Sequence, residues 1–222
     1  MQTTDLFDDP IPAGRTAPTK ECLADGAVLL RGFAALQAEA LWRDIGVVFD
    51  AAPPRHLMTP GGLRMSVAMS NCGELGWVSD RRGYRYEAID PDSGRAWPAM
   101  PRSFRRLAHD AAAQAGFEGF APDACLINRY EPGARLSLHQ DRDERSFDHP
   151  IVSVSLGLPA VFVFGGLERG GPTLRVALAH GDVVVWGGPS RLRYHGVLAL
   201  KEGSHPVTGA CRVNLTFRRA GG

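Results

Sequence analysis

The pattern of apolar and polar residues changes halfway along the chain. Residues 26–33 and 64–70 read as strands, whereas residues 35–49 and 98–116 repeat apolar side chains at the 3.6-residue spacing of a helix. Residues 51–62 are rich in proline and glycine and predict a turn region. The first half therefore predicts two helices among few strands.

Short β-rich runs follow in close succession after Gly119, separated by Gly, Pro and Asp turns. Such spacing indicates an all-β sandwich or barrel, for which a double-sheet jelly roll is one solution. Because the helices come first, we expect an α+β fold in which they brace one sheet. The predicted strands are residues 124–130, 136–139, 151–158, 161–164, 173–178, 182–186, 193–197 and 211–217.

A glycine-punctuated segment lies between the two predicted helices. It carries Trp77, Tyr84 and Tyr86 and predicts a hairpin with its turn around Ser79–Gly83. Aromatic side chains on such a hairpin either stack on a planar ligand, such as a base, or pack the hairpin onto the domain. The sequence alone leaves both open.

Composition describes an ordinary globular protein. The 222 residues carry a net charge of +1, and of the 25 basic residues only Lys20 and Lys201 are lysines. An arginine-rich genome explains that bias as well as phosphate or carboxylate binding does. No apolar run approaches a membrane span, the N-terminus lacks the features of a secretion signal, and the four cysteines are scattered, with Cys125 and Cys211 in apolar runs. We therefore expect buried thiols and a cytoplasmic protein.

Candidate chemistry starts at His139-Gln140-Asp141. In a strand, residues i and i+2 share a face, so an imidazole and a carboxylate project together. These are two of the three ligands of a 2-His-1-carboxylate iron site. Spacing favours His195 as the third ligand and leaves three further histidines open, namely His149, His180 and His205.

A second pattern lies near the end of the chain. Alternation places Val213, Leu215 and Phe217 on one face, which we predict to be core, and Arg212, Asn214, Thr216 and Arg218 on the other. The polar row either binds an anionic ligand, such as a dicarboxylate, or faces solvent. Asn128 and Tyr130 form another i, i+2 pair that can add donors to the same acid.

These residues carry a resemblance to a known family. The runs NRYEPGARLSLHQDRDE, PIVSVSLGLPAVFVFGG, HGDVVVWGG and RVNLTFR, in this order, resemble the AlkB family of Fe(II)/2-oxoglutarate-dependent dioxygenases. MTPGGLRMSVAMSNCGELGW and IDPDSGRAWPAMP resemble it too. The likeness spans roughly residues 25–220.

The resemblance implies a double-stranded β-helix (jelly roll) core braced by N-terminal helices, with a nucleotide-recognition flap. We accordingly expect an N-terminal arm (1–24), a helical support with the flap (25–119) and a jelly-roll core (120–222), with 25–222 forming one structural domain.

It also implies roles for individual residues. His139, Asp141 and His195 would bind Fe(II), and Arg212 would pair with the distal carboxylate of 2-oxoglutarate. Completing that site would be Asn128, Tyr130, Ser153, Asn214 and Arg218. On the substrate side, Trp77 and His139 would sandwich the alkylated base, Tyr84 would hold the substrate backbone, Asp143 would read the exocyclic amino group, and Arg169 would add a contact. Asp80 on the flap is unfavourable beside a phosphate backbone.

The implied activity is oxidative dealkylation of bases such as 1-methyladenine and 3-methylcytosine in DNA, and also in RNA, with O2 and 2-oxoglutarate consumed and formaldehyde released. Single-stranded nucleic acid, or a duplex with a flipped base, would be the partner, and the enzyme would be a monomer. Two rivals stay open: an oxygenase of the same core acting on a protein or small molecule, and a non-enzymatic jelly-roll protein that senses metal or 2-oxoglutarate.

Overall fold

A computed structural model describes residues 19–221 of the chain, which form mainly strands. The predicted arm lies outside the described residues up to residue 18. The strands are β1 (Lys20–Ala24), β2 (Ala27–Leu30), β3 (Arg55–Met58), β4 (Arg64–Gly73), β5 (Gly76–Asp80), β6 (Gly83–Glu87), β7 (Ala124–Tyr130), β8 (Leu136–His139), β9 (Ile151–Gly157), β10 (Ala160–Phe164), β11 (Leu174–Leu178), β12 (Val183–Trp186), β13 (His195–Val197) and β14 (Arg212–Arg218). The helices are α1 (Ala38–Ala51) and α2 (Arg102–Ala115).

Two antiparallel sheets face each other. The larger has eight strands in the order β1-β2-β12-β9-β14-β7-β4-β3, and the smaller has four in the order β11-β10-β13-β8. Apolar side chains of both sheets fill the space between them, among them Ile151, Phe162 and Trp186. This arrangement is the predicted double-stranded β-helix.

The two helices cover the outer face of the larger sheet. The buried helix residues include Leu41 and Ile45 of α1 and Phe104 and Leu107 of α2. They form one core with the apolar sheet residues that face the helices. Phe104 meets Phe217 of β14 edge to face, with ring centroids 6.0 Å apart. The helices therefore brace this sheet, as the sequence predicts, and its other face is left to form the site.

The strands β5 and β6 form the predicted hairpin as a separate two-stranded sheet. The Asn71 side chain binds the backbone of Trp77 at both its N–H and its carbonyl. Close packing also fixes the base of the hairpin, since a Cβ on Gly76 would lie 2.3 Å from the Trp97 ring. The hairpin is therefore tied to β4 and to the loop that precedes α2.

The sequence missed two edge strands. Lys20–Ala24, assigned to the arm, form β1, and Arg55–Met58, assigned to a turn region, form β3. Both are short and none of their residues is fully buried, so neither shows the apolar run of an inner strand. The second helix begins at Arg102 rather than at Pro98, because Pro101 occupies its N-cap with an extended backbone.

No helix within residues 19–221 combines the length and the apolar character needed to cross a lipid bilayer.

Candidate active site

One cavity of about 680 Å³ opens between the two sheets and below the hairpin. Every site residue that the sequence predicts lines it. From the sheets and their loops come Asn128, Tyr130, His139, Asp141, Asp143, Ser153, Arg169, His195, Arg212, Asn214 and Arg218, and from the hairpin come Trp77 and Tyr84.

Three of these side chains form a potential metal centre. His139 and His195 lie opposite each other in the β8–β13 register. Nε2 of His139 is 3.6 Å from Oδ1 of Asp141, and Nε2 of His195 is 3.8 Å from Oδ2 of Asp141. Asp141 lies two residues beyond the end of β8, so the strand-alternation argument applies to His139 alone, although the carboxylate still converges on the imidazoles.

Backbone carbonyls orient both imidazoles. Nδ1 of His139 lies 2.9 Å from the carbonyl of Ser137, and Nδ1 of His195 lies 3.0 Å from the carbonyl of Arg193. A carbonyl only accepts, so each Nδ1 donates its proton there, and each Nε2 is directed toward the centre, where a neutral imidazole can bind a cation. The other three histidines considered do not belong to this cluster.

The charges of the cluster suit a cation. Burial, followed by the neighbouring His139, lowers the pKa of His195 to about 4, so the imidazole is neutral at pH 7. Burial alone would raise the pKa of Asp141, but Arg218 and then the two histidines outweigh it and hold that pKa well below its usual range. The centre thus offers the neutral imidazole of His195 and the carboxylate of Asp141, with the imidazole of His139 beside them.

A buried network holds this carboxylate in place. Arg218 donates through Nε to Oδ2 of Asp141 at 2.9 Å and also pairs with Glu144 at 3.2 Å. Glu144 pairs in addition with Arg191 at 3.1 Å, and Arg191 donates to the backbone carbonyl of Asp141 at 2.8 Å. The hydroxyl of Tyr86, on β6, donates to Glu144 at 3.0 Å. The network therefore connects the hairpin to the metal centre.

Strand β14 supplies the opposite wall. Val213, Leu215 and Phe217 are fully buried in the helix-side core, as predicted. The alternate residues turn into the cavity and are also buried, so the row does not face solvent: Arg212, Asn214, Thr216 and Arg218.

Arg212 is the unusual member of that row. The residue is 1% exposed, and Nη2 donates to the hydroxyl of Ser155 at 2.9 Å. Within residues 19–221, Nε and Nη1 are buried without a hydrogen-bond partner, and no carboxylate pairs with the guanidinium. A buried cation with two unused donors fits a carboxylate ligand that accepts both bonds.

Neighbouring amides and hydroxyls complete the wall. Asn214 donates to Ser153 Oγ at 2.8 Å, and its carbonyl accepts from Thr216 at 2.8 Å. The side-chain oxygen of Asn128 is buried and has no hydrogen-bond partner among the described residues, and the guanidinium of Arg212 lies over the Tyr130 ring at 4.9 Å. This pocket suits a polar acid, and the residues present therefore fit both Fe(II) and 2-oxoglutarate.

The hairpin brings a flat aromatic surface to the cavity. The Trp77 and Tyr84 rings stack, with centroids 5.5 Å apart and planes 14° apart. Nε1 of Trp77 donates to Oδ2 of Asp143 at 2.8 Å. Trp77 and Asp143, which come from different parts of the sequence, thus form one surface.

Asp80, at the tip of the hairpin, is neutralised locally. Arg85 binds it at 2.9 Å and Arg82 at 3.3 Å. Hydrogen bonding from Arg85 holds the pKa of Asp80 below its usual range. The aspartate therefore does not present an isolated negative charge to a ligand.

Comparison with known proteins agrees with this geometry. The family model of the 2OG-Fe(II) oxygenase superfamily matches residues 26–218. The "Alpha-ketoglutarate-dependent dioxygenase AlkB" of Escherichia coli is 59% identical over 217 residues, which is 98% of this chain and 98% of that protein. The chain belongs to the AlkB family of 2OG-Fe(II) oxygenases. As a member of the AlkB family, it is a dioxygenase that uses Fe(II), 2-oxoglutarate and O2.

More distant members of the AlkB family match over shorter stretches or by fold. The human "Nucleic acid dioxygenase ALKBH1" is 32% identical over 124 residues, which is 56% of this chain and 32% of that protein. The solved structure of OsALKBH1 superposes with a TM-score of 0.79 and 29% identity, covering 90% of this chain and all of that one.

Sequence reasoning missed Glu144, Ser155 and Arg191. Glu144 lies in a charged run that reads as solvated surface, yet its partners Arg191 and Arg218 come from distant parts of the chain. Ser155 shares a face of β9 with the predicted Ser153, and the i, i+2 rule could have found it.

Proposed function

We propose that this dioxygenase removes alkyl groups from N-alkylated nucleobases in nucleic acid and restores the unmodified base. The observation that carries the proposal is the aromatic surface of Trp77, which lines the same cavity as the His-Asp-His centre. An indole face beside the centre suits a planar ring, and stacking tolerates any base.

Each predicted site residue has a role in this proposal. His139, Asp141 and His195 would hold Fe(II), which would supply, with O2 and 2-oxoglutarate as co-substrates, the oxidation of a C–H bond, with succinate and CO2 as co-products. Arg212 binds the distal carboxylate, with Asn128, Tyr130, Ser153 and Asn214 around the acid. Arg218 fixes Asp141 through its ion pair and borders the same pocket.

The substrate side positions the carbon that reacts. Trp77 and His139 enclose the base, Tyr84 and Arg169 contact the strand, and Asp143 faces the exocyclic amino group. Hydroxylation of an N-methyl group gives a hemiaminal, which breaks its C–N bond and releases formaldehyde. The cationic rings of 1-methyladenine and 3-methylcytosine suit a site that combines an indole face with a carboxylate.

The form of the substrate and the setting follow from the same cavity. A base stacked in a duplex cannot reach a centre between two sheets, so the enzyme acts on single strands, or on duplex DNA and RNA after base flipping. We further propose a monomer in the reducing cytoplasm, where the free thiols of Cys72, Cys125 and Cys211 stay reduced.

An oligonucleotide with one 1-methyladenine tests the reaction. With Fe(II), ascorbate and 2-oxoglutarate present, we expect the oligonucleotide to lose the mass of one methylene group. Asp141→Ala should abolish this loss, whereas Asp148→Ala, an exposed aspartate of the same loop, should not. Succinate formation without a change in oligonucleotide mass would indicate a different class of substrate. Bound iron without succinate formation would refute the proposed enzymatic activity.

A further inference from the structure

A second concave surface lies outside the catalytic cavity. It is a groove of about 820 Å³ that is bordered by α2, by the loop after β8 and by the end of β14. Its apolar lining includes the exposed Ala88 and Ala121 and the half-buried Leu75. Four arginines from three separate segments line it, and we name it the arginine groove: Arg105, Arg106, Arg145 and Arg219.

The groove has an excess of positive charge. Its acidic residues are Glu74 and Asp123, and the carboxylate of Asp123 already accepts from the backbone N–H groups of Ala220 and Gly221 at 2.6 and 2.9 Å. Among the described residues, none pairs with the Arg105 side chain, and Arg106 has only a long contact of 3.6 Å with Asp110. In a chain with a net charge of +1, this is a local concentration of cations.

Two connections place the groove beside the catalytic cavity. Tyr84 lines the cavity and Ala88 lines the groove, and four residues of extended chain span about 13 Å. Arg142 lines the cavity and Arg145 lines the groove, so these two residues are at most about 11 Å apart. A stacked strand rises about 3.4 Å per nucleotide, so this distance corresponds to roughly three or four nucleotides.

We propose that the arginine groove binds phosphodiester groups of the nucleic acid strand that extends beyond the target base, an inference that rests on the proposed nucleic acid substrate. Guanidinium groups match phosphate oxygens in two-point contacts. The accessible apolar lining, Leu75, Ala88 and Ala121, allows a base to pack between those contacts. The groove would thus add affinity for long substrates that a very short one cannot use.

Matched charge reversals test the groove. Arg105→Glu and Arg145→Glu change it from two different segments, and Arg43→Glu is the control, an exposed arginine of α1 that lines neither cavity. Binding of an unmodified single strand of about 12 nucleotides is measured by fluorescence anisotropy across a salt series. Demethylation is measured on a methylated strand of that length and on a methylated trinucleotide.

We expect each groove variant to bind the long strand roughly fivefold more weakly at low salt, with a shallower salt dependence, and Arg43→Glu to bind like the unaltered protein. Turnover of the trinucleotide should be the same in all variants, while KM rises for the long strand alone. Equal binding of the long strand by all variants would overturn the groove while leaving the proposed function intact. If no substrate is demethylated, the proposed function fails, and the anisotropy series still decides whether the groove binds nucleic acid.

Discussion

The buried guanidinium of Arg212 lowers the stability of the free protein, although the same group is suited to bind a ligand. Arg212 is buried with two unused donors and no anionic partner within the part of the chain that the structure describes. Burial lowers the pKa of Arg212, which shows how unfavourable its charge is there before a ligand binds. Such a residue costs stability in the free protein, and a bound dicarboxylate offsets that cost.

Arg212→Met should therefore separate the two properties. We expect the free protein to gain about 1 kcal/mol in the free energy of unfolding, because methionine fills similar space without a desolvated charge. Stabilisation by added 2-oxoglutarate should disappear. Urea unfolding with and without 2-oxoglutarate measures both effects. Arg129→Met, an arginine paired with Glu131 at the surface, is the control, and a less stable free Arg212→Met protein would contradict the prediction.

At the residue scale, the sequence predicts which side chains reach the cavity but not all of their partners. Period-two alternation identifies both faces of β14 because each face repeats over seven residues. The ion pairs of Glu144 are not visible in this way, because Arg218 lies far along the chain and only the folded sheet brings it near.

Among the elements, the hairpin is linked to the buried network around the metal centre through the hydroxyl of Tyr86. Burial raises the pKa of Tyr86 well above its usual value, so the hydroxyl stays protonated and donates to Glu144. The same carboxylate binds Arg218 and Arg191, which hold Asp141. Glu144 therefore provides one route by which a change at the hairpin reaches the metal centre.

Tyr86→Phe should loosen this link. We expect a loss of about 1 kcal/mol in the free energy of unfolding and faster hydrogen exchange in β5 and β6, because one buried hydrogen bond disappears. Tyr84→Phe serves as the control, since Tyr84 is 46% exposed. Unchanged exchange in the Tyr86→Phe hairpin would show that the stacked rings and Asn71 hold it without Glu144.

The turn between β11 and β12, which lies away from the active site, contains the titratable side chain of His180. Burial, followed by the neighbouring His205, lowers the pKa of His180 from 6.5 to about 4, although Asp182 acts in the opposite direction. The rings of His180 and His205 stack with centroids 4.2 Å apart, and Nδ1 of His180 accepts from the N–H of Gly157. The folded protein therefore holds this imidazole neutral.

The free energy of unfolding should consequently decrease as the pH falls from 6.5 to about 4. In this range His180 binds a proton in the unfolded chain but stays neutral in the folded protein. The contribution is on the order of 1 kcal/mol, and it is absent above pH 6.5. His180→Asn keeps an acceptor near the Nδ1 position without a titrating ring. Denaturation at several pH values should show a flatter profile for this variant, and an identical acid loss would assign the effect to other groups.

Element prediction succeeds for the strands after residue 119, including the edge strands β8 and β11 of the smaller sheet, and fails for β1 and β3 of the larger sheet. The eight strands predicted after residue 119 agree with the structure to within about two residues, because turn residues mark their ends. The strands β1 and β3 were missed because none of their residues is fully buried, so they are held mainly by backbone pairing and show no apolar pattern.

For the molecule as a whole, ligands that bind in the cavity between the two sheets should raise the free energy of unfolding. With Mn(II) in place of iron to prevent turnover, saturating metal and 2-oxoglutarate should each add up to about 2.7 kcal/mol at a hundredfold excess over Kd. For a chain of this size, the combined shift in Tm should be roughly 10 °C. Thermal unfolding with each ligand alone and with both measures it, and a chelator should reverse the metal contribution.

The double role of β14 has a consequence for how this protein can change. Inserting or deleting one residue within β14 would exchange its two faces. Its two arginines would then point into the apolar core beneath the helices, and apolar side chains would line the catalytic cavity. During evolution, this strand can therefore change by substitution of single residues but not by a change in its length. Length variation, and with it new substrate preference, is better tolerated in the loops around the mouth of the cavity.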